Sequence, residues 1–366
     1  MSLLSKFPEG NAIIYCEGAY GTTNGKTAHG LVRRTERYIV HSVVDSSLVG
    51  KDAGEVLDNK KKGIPILANL EDATELARKN GTTISYLVIG LTPDGGRLSQ
   101  EAREDIITAI TLGLNIDSGL HDFLSEDKYL YNLAKKYKIK IRDIRKPPPL
   151  KDLHFFSGKI EQVKSLKIAI LGTDSAVGKR TTAWILLDAL RNCGYATELI
   201  GTGQTSWMQG VKYGTIFDSL INDFVSGEIE HAVWSAWVGK QPEVILIEGQ
   251  GSLMNPAYPG GFEILAAGRP DLIIVQHPPA RKEYDGFPGY KLHPLEKQIQ
   301  VIELLSSKPV IAVTINHERI NIKQIKAVCD EIAKKTKLPT FDVLINGAID
   351  LVKVIETYLQ NTKKKK

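Results

Sequence analysis

The chain is 366 residues long, with 42% hydrophobic, 24% charged and 7% aromatic residues. That composition excludes a collagen-like, disulfide-stapled or broadly disordered protein, and the length points to two domains rather than one. The formal net charge is +5, but four of those charges are the terminal Lys363–Lys366, so the body is nearly neutral and carries no nucleic-acid footprint.

Short apolar runs alternate with helical patterns from the start. Strands are expected at Ala12–Cys16, Tyr38–Val44, Ile64–Leu67, Tyr86–Gly90, Leu114–Ser118 and Ile139–Ile144. Helices are expected between them at Thr27–Thr35, Leu70–Asn80, Ser99–Leu112 and Ser125–Tyr137. Such turn-taking is the signature of a doubly wound parallel sheet. The run Arg145-Lys-Pro-Pro-Pro-Leu150 can continue neither element type, so it reads as a stiff connector between a domain over 1–148 and a second over 149–366.

The second alternation places strands at Leu166–Leu171, Ala196–Gly201, Val244–Glu248, Leu272–Gln276 and Val310–Asn316. Its clearest helices are Thr181–Asn192, Leu295–Ser306 and Ile322–Lys335. The expected fold class is α/β throughout, with two parallel sheets. Three widely spaced cysteines, Cys16, Cys193 and Cys329, make neither a disulfide framework nor a zinc site, which fits a reducing cytoplasm. No secretory leader and no membrane span is expected, because no apolar run approaches about 18 residues. The lysine tail reads as a solvated end.

The most informative string is Leu166-Lys-Ile-Ala-Ile-Leu-Gly-Thr-Asp-Ser-Ala-Val-Gly-Lys-Arg-Thr-Thr182. A strand runs into Gly172, then Thr173, Asp174, Ser175, Ala176 and Val177 lead to Gly178, Lys179 follows, and a helix begins with Arg180, Thr181 and Thr182. In that order the backbone N–H groups of the loop and first turn converge on one concavity, where Lys179 adds a positive charge for phosphate oxygens. The spacing is one residue longer than the common P-loop. Arg180 stands where serine or threonine usually ligates magnesium, which weakens the case for nucleotide hydrolysis and leaves the cradle intact. No metal site is expected.

Gly172–Lys179 resembles the loop of dethiobiotin synthetase and its class of P-loop proteins. The string Val244-Ile-Leu-Ile-Glu-Gly-Gln-Gly-Ser-Leu-Met-Asn-Pro256 looks like that enzyme's acidic strand end and glycine turn. The resemblance puts Glu248 where a metal-binding acid would be and Asn316 where the class reads adenine. Taken as bare residues, the alternative for Glu248 is a cap on the Gly249–Gly251 turn, and Asn316 reads as a strand-end turn residue. Cys16–Arg33, Ser118–His121, Gly201–Thr205, Asp223–Glu228 and Glu248–Gly251, in that order, resemble the DgcN-like family across nearly the whole chain. That likeness implies a Rossmann-like N-terminal domain, a P-loop C-terminal domain, and N-acetylation of a D-amino acid, D-glutamate or a relative, from acetyl-CoA.

Acetyl transfer to an amine needs a base, donors for the thioester oxyanion and a cation for substrate carboxylates. Asp223, Glu228 and Glu248 are the candidate bases, with an ordinary helix-start role the alternative for Asp223 and Glu228. Gln204, in Gly201-Thr-Gly-Gln-Thr205, is expected to face the reacting carbonyl at the strands' carboxyl ends. Arg281, beyond Gln276-His-Pro-Pro279, is the expected carboxylate partner. Lys26, Thr27 and Arg33 are of interest for an anionic ligand, and Asp45 and His121 have ordinary loop roles as rivals to functional ones. Two other readings stay open: an ATP- and magnesium-dependent ligase or kinase, and a metabolite-binding regulator without turnover. The expected partner is a small-molecule amino acid, with no nucleic acid and no membrane; self-association stays open.

Overall fold

The computed structural model describes residues 7–364; residues 1–6 and the last two lysines of the tail lie outside the described residues. The chain forms two compact units. One runs to Pro147 and takes in Gln204–Val211; the other comprises Pro148–Gly203 and the chain from Lys212.

The first unit carries a six-stranded, all-parallel sheet of β1 (Gly10–Tyr15), β2 (Tyr38–Val44), β3 (Ile66–Leu67), β4 (Tyr86–Ile89), β5 (Asn115–Ser118) and β6 (Ile141–Asp143). Its order is β3-β2-β1-β4-β5-β6, that of Rossmann-like sheets. Ala12, Ile13, Ile14 and Tyr15 are buried on both faces of β1, as a strand covered by helices on each side must be. The helices start and stop as their sequence dictates. Asn69 accepts from the Asp72 amide to open Leu70–Lys79, whose last turn holds Arg78 and Lys79 against the negative helix end.

The second unit is a seven-stranded, all-parallel sheet of β7 (Leu166–Gly172), β8 (Thr197–Gly201), β9 (Tyr213–Gly214), β10 (Val244–Glu248), β11 (Leu272–His277), β12 (Val310–Ile315) and β13 (Thr340–Phe341). Its order, β13-β12-β11-β7-β10-β8-β9, sets β7 between β10 and β11. Glu248 pairs with Ile170 and Gln276 with Gly172, so the loop after β7 emerges between the carboxyl ends of its two neighbours. Both sheets are α/β and parallel, as the sequence predicts.

One segment sits elsewhere than expected. Sequence position assigns Gln204–Val211 to the second domain, but the segment packs in the first unit. Met208 is wholly buried in that unit's core with Trp207 beside it, and Arg37 stacks over the Trp207 ring at 3.6 Å. Gln209 Nε2 donates to the carbonyls of Gly30 and Arg34 at the end of the helix Lys26–Arg33. No helix among the described residues is long and apolar enough to cross a membrane.

Candidate functional site

β7 ends at Gly172 and the helix Lys179–Asn192 begins seven residues later, so the intervening loop must turn sharply. Gly178 makes the turn possible with φ 100°, a left-handed conformation that costs glycine little. Ala176 adopts φ 53° in the same loop. Gly178 offers no side chain to cap the helix, and among the described residues no hydrogen-bond acceptor is found for the amides of Ala176, Val177, Gly178 and Lys179. These amides and the helix N-terminus form the donor set that suits phosphate oxygens. A side chain on Gly249, across from the loop, would put its Cβ 2.4 Å from the Ile170 carbonyl and 3.1 Å from Lys179 Cδ, so that turn packs on the loop only as glycine.

Lys179 is 7% exposed and donates Nζ to the carbonyls of Asp174 at 2.7 Å and Gly251 at 2.6 Å. Burial pulls its pKa down to about 8, while the charges of Asp174 and Glu248 oppose that pull. Asp174 is fully buried and its carboxylate is well supplied with donors. Oδ1 accepts from the Ser175 amide at 2.7 Å and Asn255 Nδ2 at 2.8 Å; Oδ2 accepts from Arg281 Nη1 and the Asp285 amide, both at 2.8 Å.

The first helical turn is held from β11 and β12. Thr182 and Thr314 both donate to Gln276 Oε1, at 2.6 and 2.5 Å. Thr173 shares a 2.9 Å hydrogen bond with His277 Nδ1, and burial lowers the His277 pKa to about 4, so the ring is neutral at physiological pH. Arg180 is half-buried and Thr181 follows it on the helix. Glu248 is buried at the end of β10, where Oε2 accepts from the Thr202 amide at 3.1 Å.

Of the residues singled out from sequence, Gly172 to Thr182, Glu248, Arg281 and Asn316 all lie at the carboxyl ends of the second sheet. Asn316 Oδ1 accepts from the Glu318 amide at 3.0 Å, a strand-end turn. Arg281 does not offer its guanidinium to solvent as a substrate partner would: four of its five N–H groups are bonded to Glu318, Asp174 and the Ser175 carbonyl. Asp223 is exposed in the first turn of Asn222–Lys240, and Glu228 accepts from the His154 amide and Nδ1. Gln204 belongs to the first unit, where a Cβ on Gly119 would lie 2.7 Å from its Cγ.

Still in the first unit, Thr27 is bonded to Thr205, Arg33 forks onto Asp58, and Asp45 accepts from the Tyr20 and Ser47 amides. His121 lies so close to Gly96 that a Cβ there would be 2.3 Å from its ring. Sequence reasoning missed Asn255 and Glu318. The first stands in the Val244–Pro256 string without a role, and the second two residues after Asn316, the spacing of an asparagine-capped turn.

A strand, glycine-bounded loop and lysine-led helix in a parallel sheet define a P-loop α/β protein, here joined to a Rossmann-like sheet. Residues 154–352 match the P-loop domain of a domain of unknown function, DUF1611_C, and residues 46–147 match its Rossmann-like partner, DUF1611_N. The chain belongs to this DUF1611 family.

A protein of this family from Anabaena variabilis ATCC 29413, solved by crystallography, superposes with a TM-score of 0.86 at 26% identity, covering 95% of this chain and 99% of that one. Two relatives bear the name D-glutamate N-acetyltransferase. That of a Pseudoalteromonas species is 29% identical over 72% of this chain and 79% of its own; that of Tritonibacter scottomollicae is 29% identical over 73% and 79%.

Proposed function

We propose that this protein is an acyltransferase that N-acetylates a D-amino acid, D-glutamate or a relative, using acetyl-CoA, with the loop Gly172–Thr182 holding the diphosphate of the cofactor. The observation that carries the reading is a cradle of unsatisfied amides and a lysine in a chain resembling two named D-glutamate N-acetyltransferases over more than 70% of its length. Those donors fit a diphosphate whether or not a third phosphate is attached. When bound, acetyl-CoA supplies the thioester carbonyl that the amine attacks.

In this reading the amides of Ala176 to Lys179 and the Lys179 ammonium bind the phosphates, and Asn316 lies toward the base. Glu248 is the favoured base, because it stands at the carboxyl end of β10, in register with the β7 strand that carries the phosphate loop, while Asp223 and Glu228 sit on the helix Asn222–Lys240. A cytoplasmic location and a small-molecule amino-acid substrate go with it. One feature favours a second reading, ATP-dependent ligase or kinase chemistry: a buried acid at a strand end beside the P-loop lysine.

The test is thiol release from acetyl-CoA with D- and L-amino acids offered separately. Release with D-glutamate and not L-glutamate is the expected result. Release with a different amino acid keeps the reaction and changes the substrate. No acceleration by any amine, with acetyl-CoA bound, overturns the transferase reading in favour of a non-catalytic sensor, and magnesium-dependent phosphate release from ATP overturns it in favour of the ligase or kinase.

A further inference from the structure

Arg281 follows β11, and its side chain is 10% exposed. Nε and Nη2 fork onto the two oxygens of Glu318, each at 2.8 Å, while Nη1 reaches both Asp174 Oδ2 and the Ser175 carbonyl, each at 2.8 Å. A substrate carboxylate gripped by arginine asks for two parallel N–H groups, and this guanidinium has one left. Its bonds lead instead into the phosphate loop. Asp174 is fully buried, and a buried carboxylate deprived of its cation is strongly destabilised. The carbonyl of the same residue receives Lys179 Nζ, and the carbonyl of Ser175 immediately precedes the unsatisfied amides.

We infer that Arg281 is a positioning residue: it fixes the phosphate loop through Asp174 and Ser175, and acts on a diphosphate ligand through that loop without touching the amino acid. The inference rests on the reading that the loop holds a diphosphate. Glu318 is part of the device. Its amide is set by Asn316 Oδ1 at 3.0 Å, so the turn after β12 orients the carboxylate that orients Arg281, and Arg281 orients the loop after β7. Preorganised donors bind anions tightly only while their scaffold is rigid, so loosening the guanidinium lowers affinity at a distance.

The experiment measures dissociation constants of inorganic pyrophosphate, ADP and CoA by calorimetry for wild type, Arg281→Lys and Glu318→Gln, with KM values for acetyl-CoA and the amino acid alongside. Lysine keeps the charge and cannot fork, so Arg281→Lys is expected to weaken all three ligands about tenfold and raise the acetyl-CoA KM in step, while the amino-acid KM stays within about twofold. Glu318→Gln, at a less buried partner, is expected to shift the same quantities less. An amino-acid KM that rises while diphosphate affinity holds would overturn the inference, as would two variants that bind like wild type. If Arg281→Lys unfolds, Glu318→Gln decides. Wild type that binds ADP and pyrophosphate but not CoA removes the acetyl-CoA reading and leaves the inference to be judged on ADP. Wild type that binds none of the three removes both.

Discussion

Lys179 is the residue whose removal should spare the fold and ruin the site. Its ammonium is buried against two carbonyls, and burial holds its pKa at about 8 where a free lysine has 10.5. The sign follows from linkage. A lowered pKa in the folded state contributes stability above the unfolded value and loses it as pH falls toward the folded one, so at pH 7 the full penalty is present, on the order of 3 kcal/mol. Lys179→Met keeps the aliphatic stem and removes the charge, while two carbonyls are left without their donor at about 1–3 kcal/mol each. The opposing effects largely offset, so the ligand-free variant is expected to stay folded and to melt within the equivalent of about 3 kcal/mol of wild type.

Binding should suffer where the fold does not. Loss of a charge-assisted hydrogen bond to phosphate costs about 1.5–3 kcal/mol, a rise in Kd of roughly 10- to 150-fold. Calorimetric melts and CoA or ADP titrations at pH 7 measure both effects. The wild-type affinity should also decline as pH rises above about 8, where the free lysine loses its proton, and this decline should vanish in Lys179→Met. A variant that binds as tightly as wild type, or one that no longer folds, would refute the reasoning.

Three further outcomes follow from the same geometry. His277, held neutral with a pKa of about 4, contributes stability that is complete above pH 6.5 and is lost as pH falls toward 4, on the order of 3 kcal/mol; His277→Gln should flatten the melting profile across that window. Gly227 lets the helix Asn222–Lys240 touch the segment after the proline connector, and a Cβ there would lie 1.9 Å from the His154 carbonyl and 2.5 Å from the Phe155 carbonyl carbon. Gly227→Ala should therefore cost about 3 kcal/mol or more, read as a lowered melting temperature, and an unchanged melt would contradict the packing. With Arg180 in the usual magnesium-ligand position, CoA binding and acetyl transfer should persist in excess chelator, and loss of both on chelation would favour the ATP-dependent reading.

Much of the fold was legible because its signals are local. Every strand longer than two residues overlaps a segment expected as a strand from the sequence, and Gly172–Lys179 identifies itself by glycine spacing and a following helix. β9 and β13 are two residues each, too short to show a period, and they pair only because longer neighbours present an open edge. Gln204–Gln209 was misplaced for a different reason. Nothing in its sequence says which of two cores will bury Met208, because that choice is made by shape at a distance along the chain.

The same distance separates what was seen from what was missed at the site. Arg281 stands out in sequence because a guanidinium just beyond a strand end seeks a carboxylate. Which carboxylate it finds is settled by partners 107 and 37 residues away, Asp174 and Glu318. Asp174 itself looks in sequence like one more polar residue of a glycine loop; only when the fold buries it completely does it require a cation, and the nearby arginine is then committed to the protein before any substrate arrives. A buried acid inside a phosphate loop thus changes what an arginine beyond the neighbouring strand can do. The physical claim is that anion affinity here is governed by how rigidly the loop is held as much as by the charges that line it, and the split between diphosphate affinity and amino-acid KM in Arg281→Lys measures that rigidity.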